Sequence, residues 1–300
     1  MNVLERKLIN KLSNYHEAAP VYRIEQRSLD ELETAAARLG NRVAGHKEDS
    51  KSRVVRGKGR SDLLLGDGFR ARAYHPSGAI AIKAGLPPME HLIGETADKK
   101  AQTEASVATA KRLGLDAIGA SGEKLVFERL WQIKAAGVNH EGVRGREVVC
   151  RAIGAFRRYL GDLPVWGRAS VVVELAGGHK IGGVGVDWRR VEPTPIDRAK
   201  ILDPERAAQA VMADMNGRLP GSEFGDKAFE VTLFSLGYIS LPKRRVQGTF
   251  APVYVAMLES TGWSTINHMV VVNGSEKAYE DVCRSNAAPP QEFVRTRPKG

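Results

Sequence analysis

The chain has 300 residues, 42% of them hydrophobic, and a formal net charge of +10, enough material for one large core or for two domains of roughly 150 residues each. Its two cysteines, Cys150 and Cys283, form no C-x-x-C pair and exclude a disulfide scaffold. No apolar run approaches the ~20 residues of a membrane span. The first fifteen residues are charged at Glu5, Arg6, Lys7 and Lys11 and lack the continuous apolar core of a secretory signal, so a cytoplasmic location is expected.

Val3, Leu4, Leu8, Leu12 and Tyr15 recur at helical spacing and predict an amphipathic helix in a leading segment 1–20, docked on its own domain, a partner or a membrane surface. Val21 to Ile24 alternates as a short strand. Ser28-Leu29-Asp30-Glu31 is a capping box that opens a helix, with Gly40 placed to end it. The basic stretch 46–60 reads as a mobile loop around a short Val54-Val55 strand. Its Arg53, Arg56, Lys58 and Arg60 are the anion-binding candidates, and Gly57 and Gly59 allow close backbone approach. No aromatic residue interleaves with these charges, which weighs against single-strand nucleic-acid binding.

Phe69, Ala71 and Ala73 alternate up to Pro76-Ser77-Gly78, and Ile80 and Ile82 alternate down, a hairpin signature. A linker with Pro87-Pro88 leads to a helix capped at Thr96 and stopped at Gly114, and a strand follows over Leu125 to Ile133. The Gly-rich stretch 137–145 is the best boundary. Beyond it the order recurs. Val148 to Tyr159 is a long strand. Val171, Val173 and Leu175 climb to Ala176-Gly177-Gly178, and Ile181, Val184 and Val186 descend. Asp203-Pro204 then opens a helix that leads to a strand over Phe229 to Tyr238. Two further strands, over 247–258 and 266–272, extend the second half. Ser275 is expected to cap a last helix to Cys283, and the tail from 286 to 300 is expected to be weakly ordered.

Hairpin, helix and strand in the same order twice predict an α+β protein of two repeats, 21–140 and 146–285, each an antiparallel sheet covered on one face by a helix. The stretch Tyr159 to Gly167, YLGDLPVWG, with its following strands and Gly177-Gly178, resembles the G-x-P-V-x-G hairpin of fungalysin and thermolysin propeptides. Asp203 to Ala208 resembles the helix start of the associated PepSY modules. The resemblance covers about 148–258, with a fainter echo in the first half. It implies a cystatin-like fold and a non-catalytic role, the binding of a protein or peptide partner such as a peptidase. The chain departs from those families in its basic composition and in lacking a signal peptide and an attached catalytic domain.

Motifs for chemistry are sparse. There is no G-x-G-x-x-G, Walker A, H-E-x-x-H or G-x-S-x-G pattern, and the seven histidines have no metal-ligand spacing, so no cofactor or metal is expected. If the open sheet faces form a groove, Trp131, Trp166, Trp188, Arg189, Tyr238 and Tyr254 are the candidates to bind a partner. Were the groove a small-molecule pocket or an active site, Glu128, Asp187 and His268 are the acid/base groups to test. Three readings follow: a partner-binding module, a small-molecule-binding protein or enzyme, and a nucleic-acid-associated protein acting through 46–60.

Overall fold

The computed structural model describes residues 3–85, 98–119, 122–168, 170–218, 229–260 and 267–279. The elements in chain order are α1 (Val3–Asn10), β1 (Ala18–Arg23), α2 (Leu29–Ala44), β2 (Arg53–Gly57), β3 (Arg60–Gly66), β4 (Phe69–Tyr74), β5 (Ala79–Lys83), α3 (Lys99–Arg112), β6 (Glu123–Ala135), β7 (Val148–Leu160), β8 (Leu163–Trp166), β9 (Val171–Leu175), β10 (Ile181–Val186), β11 (Asp197–Lys200), α4 (Pro204–Arg218), β12 (Phe229–Ile239), β13 (Thr249–Phe250), β14 (Val253–Ser260) and β15 (Asn267–Asn273). The class is α+β.

The chain forms two compact units drawn from interleaved stretches, where the sequence reading divided it end to end. The first holds Met1–Ala18, Ala199–Ser235 and Val253–Gly300, and the second Ala19–Arg198 and Leu236–Pro252.

In the first unit, β15, β14 and the leading part of β12 lie side by side, and α4 packs on β15 and on α1. Asp203 starts α4 as the sequence predicts, its carboxylate accepting from Arg206 N at 2.8 Å. The leading helix is shorter than the periodicity suggests. It ends at Asn10 because the chain turns extended to pair with β12, Ser13 N donating to Phe234 O at 3.1 Å. Ser275 caps no helix through Tyr279; it bridges to Ile201 instead. The rest of that expected helix, including Cys283, and the tail 286–300 lie outside the described residues.

The second unit is built on a sheet in the order β2-β3-β4-β5-β10-β9-β7, with β6 on the other edge of β7. It is larger than either predicted half, because the hairpins β4–β5 and β9–β10 join edge to edge, Ile80 opposite Val186 and Ile82 opposite Val184. The sheet is mixed, since Tyr238 and Ile239 at the end of β12 run parallel to Val165 and Trp166 of β8.

One face of this sheet carries the core. Leu63, Ala71, Ile82, Val184, Val173, Gly154 and Leu130 form a continuous row across seven strands. Leu32, Ala36, Leu39 and Val43 of α2 and Ala110 of α3 close over it. Two helices therefore cover the face where one was expected. The capping box holds, Glu31 N donating to Ser28 Oγ and Ser28 N to the Glu31 carboxylate. Gly40, read as a stop, lies inside α2, which continues to Ala44 and is capped by Gly45. A Cβ at Gly40 would overlap Leu65 Cδ1, so this glycine serves helix-to-sheet packing. Thr96 lies outside the described residues, and the N-cap observed for α3 is Asp98, its carboxylate accepting from Lys100 N at 2.8 Å.

Candidate functional site

Side chains alternate along a strand, so the residues between those of the core row point to the other face. Asp62, Arg72, Ala81, Gly185, Val172, Ala155 and Arg129 form one such row, and Leu64, Arg70, Lys83, Gly183, Glu174, Ile153 and Trp131 the next. Both helices of the unit sit on the opposite side. The middle of this face is floored by small residues and its flanks are charged.

A cleft of about 460 Å³ opens there. It is floored by Ala81, Val172 and Gly185 and edged by Glu128, Arg129, Trp131, Arg157, Arg168, Asp187 and Lys243. A second depression of about 300 Å³ on the same face shares Ala81 and is bounded by Asp62, Arg70, Arg72 and Lys83. Trp131, at 44% exposed, offers an open aromatic surface, with the Arg129 guanidinium 5.0 Å from its ring.

The two carboxylates of the cleft have different environments. Glu128 accepts from Arg157 Nη2 at 2.6 Å and from Arg129 Nη2 at 3.1 Å. Burial pushes its pKa up, but those hydrogen bonds and charges outweigh it and hold the carboxyl below the usual range. Arg157 is itself fixed, donating to Val165 O at 3.0 Å and lying 4.2 Å over the Trp166 ring. Asp187 is pushed the other way. Burial raises its pKa, and the positive charges of Arg189, Lys243 and Arg168 only partly offset the rise. Glu128 is therefore a fixed anion, whereas Asp187 is the one of the pair suited to carry a proton.

Three residues named from sequence, Glu128, Trp131 and Asp187, thus line one cleft, and Trp166 supports it from beneath Arg157. The others are placed elsewhere. Trp188 is 2% exposed, donating from Nε1 to Glu123 Oε2 at 2.9 Å. Arg189 is equally buried, donating to Ser240 Oγ at 2.7 Å and Arg245 O at 3.0 Å. Tyr238 is buried with its hydroxyl donating to Pro20 O at 2.8 Å, and burial raises its pKa. All three are interior side chains of the second unit, and a partner at the surface would not touch them. Tyr254 belongs to the first unit, where its ring stacks on Phe234 and its hydroxyl donates to Leu202 O at 2.9 Å. His268 also belongs there, edge-on to Phe229.

The basic stretch 46–60 is no free loop. It enters a hairpin in which Arg53, Val54 and Val55 pair with Leu64, Leu63 and Asp62. Arg56 is committed to Glu33 at 2.9 and 2.8 Å and to Asp30 at 2.9 Å. These bonds draw the Glu33 carboxyl below its usual range. Arg60 pairs with Asp62 at 3.2 Å. Arg53 and Lys58 remain exposed.

Sequence reasoning missed Arg157, Arg168 and Lys243 at the cleft and the buried pair of Glu123 and Arg158. In that pair Arg158 Nε and Nη2 both donate to the Glu123 carboxylate at 2.8 Å, with side chains 1% and 6% exposed. Removing either partner strands the other charge in the interior, a change that costs about 3–5 kcal/mol. Strand phase was the available signal: Arg157 and Arg158 are neighbours, so one faces the cleft and the other the core.

Among the described residues no three His, Cys, Asp or Glu side chains gather into a group that could hold a metal ion, and no helix is long and apolar enough to cross a membrane. No family model matches the chain, and no curated protein matches it either. Among solved structures it is similar to an uncharacterized protein from Eubacterium rectale ATCC 33656, with a TM-score of 0.52 and 11% sequence identity over 90% of this chain and 91% of that one. At that identity the likeness is one of fold.

Proposed function

We propose that the chain is a non-catalytic binding module of propeptide- or inhibitor-like type that holds a protein or peptide partner against the open face of the second unit's sheet. One observation carries the reading: a sheet with both helices on one side and, on the other, a cleft floored by Ala81, Val172 and Gly185 beside the exposed Trp131. Small floor residues let a partner approach the sheet closely, and an exposed Trp supplies large contact area for little lost entropy. The state of Glu128 supports a holding role, since a carboxylate tied to two guanidinium groups is a poor general base.

A second reading, a small-molecule pocket with an acid/base group, is favoured by Asp187 alone, the buried carboxyl at the cleft wall. We further infer that the chain carries a repeated hairpin, helix and strand. The matching order of β4–β5, α3, β6 and of β9–β10, α4, β12 supports this, as does the edge-to-edge meeting of the two hairpins.

Affinity capture from the native cell, with identification of the retained protein, tests the main reading. A partner retained by the unaltered chain should be lost with Val172→Arg, which fills the cleft floor, and retained with Arg38→Glu on the exposed side of α2. Retention by the Val172→Arg variant contradicts it.

A further inference from the structure

The charges around the cleft are not equally committed. Arg157 is used by Glu128 and by Val165 O, and Arg129 lies against Glu128 and Trp131. Arg168 is exposed and forms no hydrogen bond or ion pair among the described residues. Lys243 lies over the Tyr74 ring at 4.3 Å, with no carboxylate within ion-pair distance among the described residues. The floor that these groups surround is made by Ala81, Val172 and Gly185. Asp187, the other carboxylate of the cleft, is driven toward its neutral form by burial. The cleft thus joins an apolar floor, large enough at about 460 Å³ for an aromatic side chain, to a rim with two positive charges that form no ion pair among the described residues.

Resting on the binding role proposed above, we infer that the partner presents an acidic segment: a large apolar side chain seated on Val172 and Gly185, flanked by carboxylates that meet Arg168 and Lys243. Charge complementarity selects this occupant. A basic segment would face two uncompensated cations, whereas a neutral apolar one would leave them without a counter-charge. Burial of the apolar side chain supplies affinity, and the rim charges supply selectivity and salt dependence. The same arrangement disfavours a free small acid, which lacks the second carboxylate and the backbone that would follow the strands.

Calorimetric titration of the full chain tests this with three probes: the blocked peptide Gly-Asp-Phe-Glu-Gly, its Asn/Gln analogue, and phenylacetate. The acidic peptide should bind more tightly than the other two and weaken with added salt. Binding should fall about tenfold in the Arg168→Gln, Lys243→Gln double variant and stay unchanged in Arg38→Gln, Lys111→Gln, which removes the same charge from the helices. Equal binding of the Asn/Gln analogue, no binding of the acidic peptide, or phenylacetate binding as tightly as the peptide each overturns the acidic-segment inference. None of these alone removes the open face as a docking surface. That reading fails separately, when a native partner is still retained by Val172→Arg.

Discussion

At the scale of single residues, burial sorts side chains that look alike in the sequence. Trp131 and Trp188 were equal candidates, yet one is 44% and the other 2% exposed. The difference was written in strand phase. Val184, Val186 and Trp188 share a parity that faces α2 and α3, while Gly185 and Asp187 share the other. Asp187 is a carboxyl whose charge is disfavoured by burial. Its raised pKa favours the neutral carboxyl, so its contribution to stability is fully present below the unfolded value of about 3.9. That contribution is lost as pH rises through the folded value. Asp187→Asn keeps the shape and removes the titration. In urea unfolding the variant should match the parent near pH 3 and exceed it at pH 8; a difference that does not change with pH would show that the carboxyl is not held in its neutral form.

Whole elements obey close packing more strictly than propensity. Alternation located both hairpins and the long strand β7, because a half-buried strand must alternate. Of the hairpin β2–β3 only a short strand at Val54-Val55 was read, because Arg53–Gly57 is exposed along its length and carries too few apolar residues to reveal a period. Gly154 is the sharper case. It sits in the core row beneath α3, where a Cβ would lie 2.6 Å from Ser106 Cβ, so the helix approaches the sheet only because that side chain is missing. In an ordinary strand, alanine is the better residue. Here Gly154→Ala should instead destabilise the protein by about 1–3 kcal/mol, read as a lowered urea midpoint with unchanged slope. An unchanged or raised midpoint would mean that α3 can move away without cost.

For the molecule as a whole, the sequence reading reached the α+β class and an open sheet face, and it named Glu128, Trp131 and Asp187 among groove candidates that also included Trp188, Tyr238, Tyr254 and His268, which lie elsewhere. It could not show that two hairpins far apart in the chain share one sheet, nor that Leu236–Pro252 returns to complete the second unit and place Lys243 at the cleft. Pairings across such separations follow from packing of the finished fold and leave no local period to read. The central claim is that function resides on the face of this sheet turned away from α2 and α3. Site-specific photo-cross-linking in the native cell tests it most directly, with a benzophenone side chain placed singly at position 131, 172 or 38. Adducts to a common partner from positions 131 and 172, with none from position 38 on α2, are the predicted result. Adducts from position 38 without any from 131 or 172 would contradict it.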